Sequence, residues 1–250
     1  MTAAVTVPFG TLTSGTAAFG TASSDAAVLV GHATHRGPRR HQADAVASHR
    51  TSWGRLAVAV ADGVGDSEDA GFAARLVADH AVRVAALEGR PDTALLAAHD
   101  LLEATQDLVP GDAAAVVALA PGSGEPRWRL AWVGDCRALA WDGRTLRTLT
   151  TDHTFAAHMR NVGLTPHPHL EHVITTSART VGPRDVGIAV VDDPGTLLLV
   201  SDGVHRAVSA SSMAAVLAAG GSAGERAARI VRLAEAAGLT DNATALVVAG

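Results

Sequence analysis

The chain has 250 residues, 48% of them hydrophobic and 18% charged, a balance that excludes a disordered polymer and fits one large domain or two small ones. A net charge of −5 and a pI near 6.1 exclude the basic surface that nucleic-acid binding needs. The single cysteine, Cys136, excludes an intrachain disulfide and points to a reducing, cytoplasmic setting, and no apolar run approaches the ~20 residues of a membrane helix.

The N-terminus lacks a basic stretch and does not read as a signal peptide. Residues 1–25, with Gly, Ala, Ser and Thr dominating 11–25, are expected to be a loose lead-in to a single domain over 26–250. A strand is expected at 27–31, then a polar, Arg-rich stretch at 35–41, then a second strand at 56–61. Phe72, Leu76, Val77, His80, Ala81 and Val84 recur at helical spacing and predict a helix over 68–87. Pro91-Asp92 opens another helix. Strands return at 114–120, 127–133 and 137–141, and Asp142-Gly143 reads as a hairpin turn into 145–149. Residues 152–185 read as irregular, broken by Pro166-His167-Pro168-His169. Strands at 188–191 and 196–200, helices at 211–219 and 224–237, and a last strand at 243–249 complete the order. Helices come in pairs between groups of strands, which argues against a doubly wound parallel sheet and for an α+β fold of antiparallel sheets flanked by helix pairs.

Two apolar runs end in Asp-Gly. Leu56-Ala-Val-Ala-Val-Ala61 runs into Asp62-Gly63-Val64-Gly65, and Thr196-Leu-Leu-Leu-Val200 into Ser201-Asp202-Gly203. A third acidic turn, Asp241-Asn242, precedes the last strand. Carboxylates distant in sequence but each at a strand end can converge, as a hard divalent cation with several oxygen ligands requires. One Asp-Gly turn taken alone is equally well a tight turn after a strand.

The ordered set is more specific. Arg39-Arg-His-Gln-Ala-Asp44, Val60-Ala-Asp62-Gly-Val-Gly65, Trp132-Val-Gly-Asp135-Cys-Arg137, Leu149-Thr-Thr-Asp152-His153, Arg179-Thr-Val-Gly182, Val200-Ser-Asp202-Gly203 and Thr240-Asp241-Asn242-Ala-Thr244 follow one another along the chain. In this order the set resembles the metal-dependent (type 2C, PPM) serine/threonine protein phosphatases, most of all their bacterial members. The resemblance implies two antiparallel sheets in a central sandwich with helix pairs outside, a four-layer αββα arrangement. It implies a site for two Mn²⁺ or Mg²⁺ ions, with Asp62 bridging them, the Gly63 carbonyl on one, and Asp202 and Asp241 as further ligands. It implies a looser third ion at Asp135, a phosphate grip at Arg39, and Asp44 orienting the attacking water. A guanidinium suits the grip because it pairs bidentately with phosphate oxygens. The implied reaction is hydrolysis of phosphoserine and phosphothreonine esters by a metal-activated water. Phosphorylated proteins would be the partners, with a cognate kinase as their source. An aspartyl-phosphate mechanism needs an Asp two residues before the Asp-Gly, where this chain has Val60.

The chain also departs from the family pattern. Ala43 stands where an acidic or amide residue is usual, Gln42 where Asn is common, and Val64-Gly65-Asp66 follows the first Asp-Gly in place of Met or His and two glycines. These departures motivate a rival reading, a phosphoprotein-binding scaffold on the same fold. His167, His169 and His172, in a Pro-rich loop without Cys, read as exposed residues rather than a zinc site. Cys136 reads as a buried, inert thiol, His153 as an anchor for the segment after it, and Trp53, Trp128, Trp132 and Trp141 as packing residues.

Overall fold

Along residues 56–61 large and small side chains alternate, and the alternation sorts them onto the two faces of one strand. Leu56, Val58 and Val60 enter one apolar core, and Ala57, Ala59 and Ala61 enter another. The computed structural model describes residues 13–19, 28–122 and 126–249, and it repeats this sorting in its other central strands. In chain order the described elements are β1 (Thr13–Phe19), β2 (Val28–His35), β3 (Asp44–Arg50), β4 (Leu56–Gly63), α1 (Glu68–Glu88), α2 (Pro91–Ala104), β5 (Ala113–Leu119), β6 (Trp128–Val133), β7 (Arg137–Trp141) and β8 (Leu146–Thr148). Then come α3 (Phe155–Asn161), a 3₁₀ turn (Pro168–His172), β9 (Gly187–Val191), β10 (Thr196–Val200), α4 (Asp202–Ala207), α5 (Ala210–Ala218), α6 (Ala223–Ala236) and β11 (Ala243–Ala249).

The strands form two sheets, ordered β1-β2-β11-β10-β7-β8 and β3-β4-β5-β6-β9, with every pairing antiparallel. Between them lies a core of Val58, Val60, Val116, Leu130, Leu197, Leu199, Leu246 and their neighbours. The outer face of the five-stranded sheet packs on α1 and α2, largely through alanines. The outer face of the other sheet packs on α4, α5 and α6. This is the α+β fold of antiparallel sheets and flanking helices that the element order predicts, in the four-layer αββα arrangement that the resemblance implies. On β4 the large residues fill the space between the sheets, and the small ones let α1 lie close on the outside.

Helix α1 has clear ends. Ser67 Oγ accepts from Ala70 N at 3.1 Å, Glu68 and Asp69 occupy the first turn, and Gly89 closes the helix in the left-handed region at φ 77°. Among the described residues, no helix is long and apolar enough to cross a membrane.

The structure departs from expectation at short or weakly patterned segments. Part of the expected lead-in, Thr13–Phe19, pairs along its length with β2 as an edge strand; residues 1–12 and 20–27 lie outside the described residues. Strand β3 was not predicted, because Asp-Ala-Val-Ala-Ser-His-Arg carries little apolar alternation and forms by pairing with β4. Helices α3 and α4, of seven and six residues, are too short for a period to register. Trp128, Trp132 and Trp141 are buried as packing residues, whereas Trp53 is 63% exposed at the β3–β4 turn. His167, His169 and His172 are exposed, and Cys136 is buried, which pushes its thiol up.

Candidate active site

The rows of side chains facing the core between the sheets end in polar residues at one end of the sandwich. On β4 the row Leu56, Val58, Val60 continues to Asp62. Opposite, on β3, Asp44 is the register partner of Asp62. On β10 the row Leu197, Leu199 continues to Ser201, and on β11 the row Val248, Leu246 continues to Thr244 and Asn242. Strand alternation thus stacks apolar residues through the sandwich and brings Asp44, Asp62, Ser201 and Thr244 to its rim.

Asp202 opens α4 directly after Ser201, and Asp241 lies just before β11. Gly203 makes this join tight. A Cβ there would lie 1.9 Å from Asn242 O, so only glycine lets α4 start against the entry to β11. Gly63 plays the same part at the other Asp-Gly, since a Cβ there would lie 2.3 Å from Ala70 O, in the first turn of α1. Both glycines are therefore required by backbone packing on backbone.

The five predicted carboxylates come together electrostatically. Burial pushes Asp62 well above the ordinary range, and Asp44, Asp202, Asp135 and Asp241 push it the same way. Burial likewise lifts Asp44 to about 7, against bonds from Thr244 and Ser201, and Asp202 to about 8, with Asp135 and Asp241 adding to the rise. Ser201 Oγ donates to Asp44 Oδ2 at 2.8 Å. Two buried oxygens, Asp44 Oδ1 and Asp202 Oδ1, have no hydrogen-bond partner. A dry cluster of carboxylates with orphaned oxygens fits the donor set of hard divalent cations, whose charge would offset the repulsion. Among the described residues no three His, Cys, Asp or Glu side chains already close on one point. The carboxylates are adjacent rather than closed on one point.

Arg39 reaches the same rim. Its Nη2 lies 2.5 Å from Asp241 Oδ2 and its Nε donates to Thr240 O at 3.3 Å. The loop that carries it is pinned from two sides. Asn242 Nδ2 donates to Arg36 O and His41 O, and Asn242 Oδ1 accepts from Ala43 N. Asp66 accepts from Arg40 N at 3.1 Å and His41 N at 2.9 Å, and these bonds hold its carboxyl below the usual range. Ala43 is buried and bonded through both backbone groups, accepting from Gly63 N at 3.0 Å.

Several residues here have roles that their motifs do not state. Ser201, Thr244 and Asn242 lie within the quoted motifs and Asp66 among the departures, yet they act through hydrogen bonds between distant segments, and a single sequence carries no signal for these. Arg206 is another, with Nη2 2.7 Å from Asp135 Oδ2 and Nη1 3.1 Å from Asp202 Oδ2. Arg179, also quoted above for its motif, braces the frame. It donates to the carbonyls of Gly111, Leu102 and Val109 and to Glu103. The backbone of His153 anchors the following segment to Gly134 O and Thr175 N. Beside the site a cleft of about 280 Å³ opens between α4 and residues 237–241, with His172 and Arg206 on its wall.

The family model described as Protein phosphatase 2C matches residues 32–235, which include Arg39, Asp44, Asp62, Asp135 and Asp202 and stop short of Asp241. The serine/threonine phosphatase Stp1 from Staphylococcus aureus is 23% identical, with a TM-score of 0.76 over 88% of this chain and 94% of that one. The Mycobacterium tuberculosis serine/threonine phosphatase PstP/Ppp is 24% identical, with a TM-score of 0.74 over 89% and 98%. The catalytic domain of PstP in complex with two manganese ions is also 24% identical, with a TM-score of 0.70 over 89% and 100%. At these identities the likeness is one of fold. No curated protein matches the chain significantly in sequence.

Proposed function

The chain belongs to the protein phosphatase 2C family, and from that premise we propose that it hydrolyses phosphoserine and phosphothreonine esters of cytoplasmic proteins. The observation that carries the reading is the buried carboxylate cluster at the sandwich rim, with two orphaned oxygens and Arg39 beside it. Asp62, Asp202, Asp241 and the Gly63 carbonyl would hold the divalent ions. Bound there, two Mn²⁺ or Mg²⁺ ions supply charge neutralisation and activation of water.

The chain's own residues do the rest. Arg39 grips the phosphoryl group: Nε and Nη2 are held by Thr240 and Asp241, and Nη1 has no protein acceptor among the described residues. Asp44, oriented by Ser201, presents Oδ1 to the attacking water and accepts its hydrogen bond. The water oxygen bonds to phosphorus as the bond to the serine or threonine oxygen breaks, releasing phosphate and a free hydroxyl. Arg39 offsets charge on the phosphoryl oxygens.

The test is turnover of an aryl phosphate and a phosphothreonine peptide, with and without Mn²⁺, by the native chain and by Asp62→Ala and Asp202→Ala. Each substitution should abolish Mn²⁺-dependent turnover; metal-independent turnover, or turnover untouched by both changes, would sink the mechanism. Phosphopeptide binding without turnover would assign the scaffold reading instead, which the internal Arg39–Asp241 pair favours.

A further inference from the structure

Arg206 stands four residues after Asp202 on α4, so its guanidinium folds back over that carboxylate. The fork spans two acids from distant segments: Nη1 is 3.1 Å from Asp202 Oδ2, and Nη2 is 2.7 Å from Asp135 Oδ2. The same group reaches the 3₁₀ turn at 168–172, donating from Nη2 to Glu171 O at 2.8 Å and meeting His172 Nδ1 through Nη1. Glu171 in turn pairs with Arg160 of α3. The side chain of Asp135 is 3% exposed and that of Arg206 is 23% exposed, so their contact is largely shielded from water. Without Arg206, Asp135 and Asp202 would be two neighbouring carboxyl groups open to a further cation.

We propose that Arg206 is a resident cation for the Asp135–Asp202 pair, which keeps a divalent ion off Asp135 and straps residues 168–172 to that side of the site. The inference rests on the proposed function only in that Asp62, Asp202 and Asp241 take divalent ions. It assigns Asp135 a guanidinium partner where the family resemblance implies a third metal. The fork's planar geometry suits two carboxylates at once, which a single ammonium does not match.

Mn²⁺ titration of the metal-free chain, read by calorimetry and by the EPR signal of free Mn²⁺, counts ions per chain. The native chain and Asp135→Asn should bind the same number. Arg206→Gln should bind one more, and Arg206→Gln with Asp135→Asn should lose it again. Loss of an ion in Asp135→Asn alone, or no gain in Arg206→Gln, overturns the proposal. Hydrogen exchange tests the strap, because the Leu170 and Val173 amides should lose protection in Arg206→Gln; unchanged exchange overturns that half. Arg206→Lys provides a second variant should the glutamine form fail to fold. It keeps the charge and loses the fork, so it should gain no ion yet still loosen the 168–172 amides, and the opposite pattern counts against the proposal. Asp62→Ala separates the two readings. If it leaves the ion count of the native chain unchanged, the metal reading of the function fails, whatever Arg206 does.

Discussion

At the scale of single residues, the side chains that position the site are mostly not those to which the motifs assign a role. Asp66 is an example. In the sequence it is only part of a departure from the family pattern after the first Asp-Gly, yet its two oxygens hold consecutive backbone N–H groups of the loop that presents Arg39. Asp66→Ala should loosen that loop and raise KM for a phosphopeptide on the order of tenfold, short of the ~100-fold that a 1 Å misplacement of a reacting group costs. Asp66→Asn, which keeps one acceptor oxygen, should fall between. Steady-state kinetics on both variants checks this; an unchanged KM in Asp66→Ala would show that the loop holds Arg39 without it. Ala43 is the converse case. It stands where the family usually has an acidic or amide residue, and the structure gives it a backbone role, accepting from Gly63 and donating to Asn242.

At the scale of elements, the two Asp-Gly turns are joints. Each carboxylate is aimed because the glycine after it lets one element rest directly on another: α1 against the end of β4, and the start of α4 against the entry to β11. Gly203→Ala would drive a methyl group into Asn242 O and push α4 away from Asp241. The expected cost is about 3 kcal/mol, roughly 6–12 °C in Tm for a chain of this size. Thermal unfolding of the metal-free variant measures it, and a Tm within 2 °C of the native value, on the order of experimental scatter, would refute this account of the joint. The long, periodic helices α1, α2 and α6 and the apolar strands were legible in the sequence because a period repeated over many residues identifies them. The short α3, α4 and β3 were not, since their stability comes from neighbours rather than from their own pattern.

At the scale of the whole molecule, the sandwich concentrates acidic groups at one rim, and this links stability to pH. Folding raises Asp44 to about 7 and Asp202 to about 8, from 3.8. Between those values each carboxyl holds a proton in the folded chain that the unfolded chain has released, so metal-free stability falls as pH rises. His205 works the other way below pH 6.5, because burial pushes it down to about 4 and the unfolded chain takes up the proton instead. The fall from the carboxylates should therefore show most clearly between pH 6.5 and 8. Mn²⁺ should raise Tm more at pH 8 than at pH 6.5, since ions and protons compete for the same oxygens. Melting curves at both pH values, with chelator and with Mn²⁺, decide the matter. A metal-free Tm that climbs across this window would refute it.

By itself the sequence determined an α+β class of antiparallel sheets flanked by helix pairs and the extents of the long helices and central strands, all of which follow from side-chain periodicity. The four-layer arrangement and the acids that meet at the rim were implied by the resemblance of its ordered motifs to a known family. Only the tertiary structure decided which groups face those acids. Ser201 bonded to Asp44, Asn242 pinning the loop of Arg39, and Arg206 spanning Asp135 and Asp202 are each contacts that join separate parts of the chain or neighbouring turns. The physical reason is that such bonds depend on distance and burial in the folded state, and neither is written in the local order of residues.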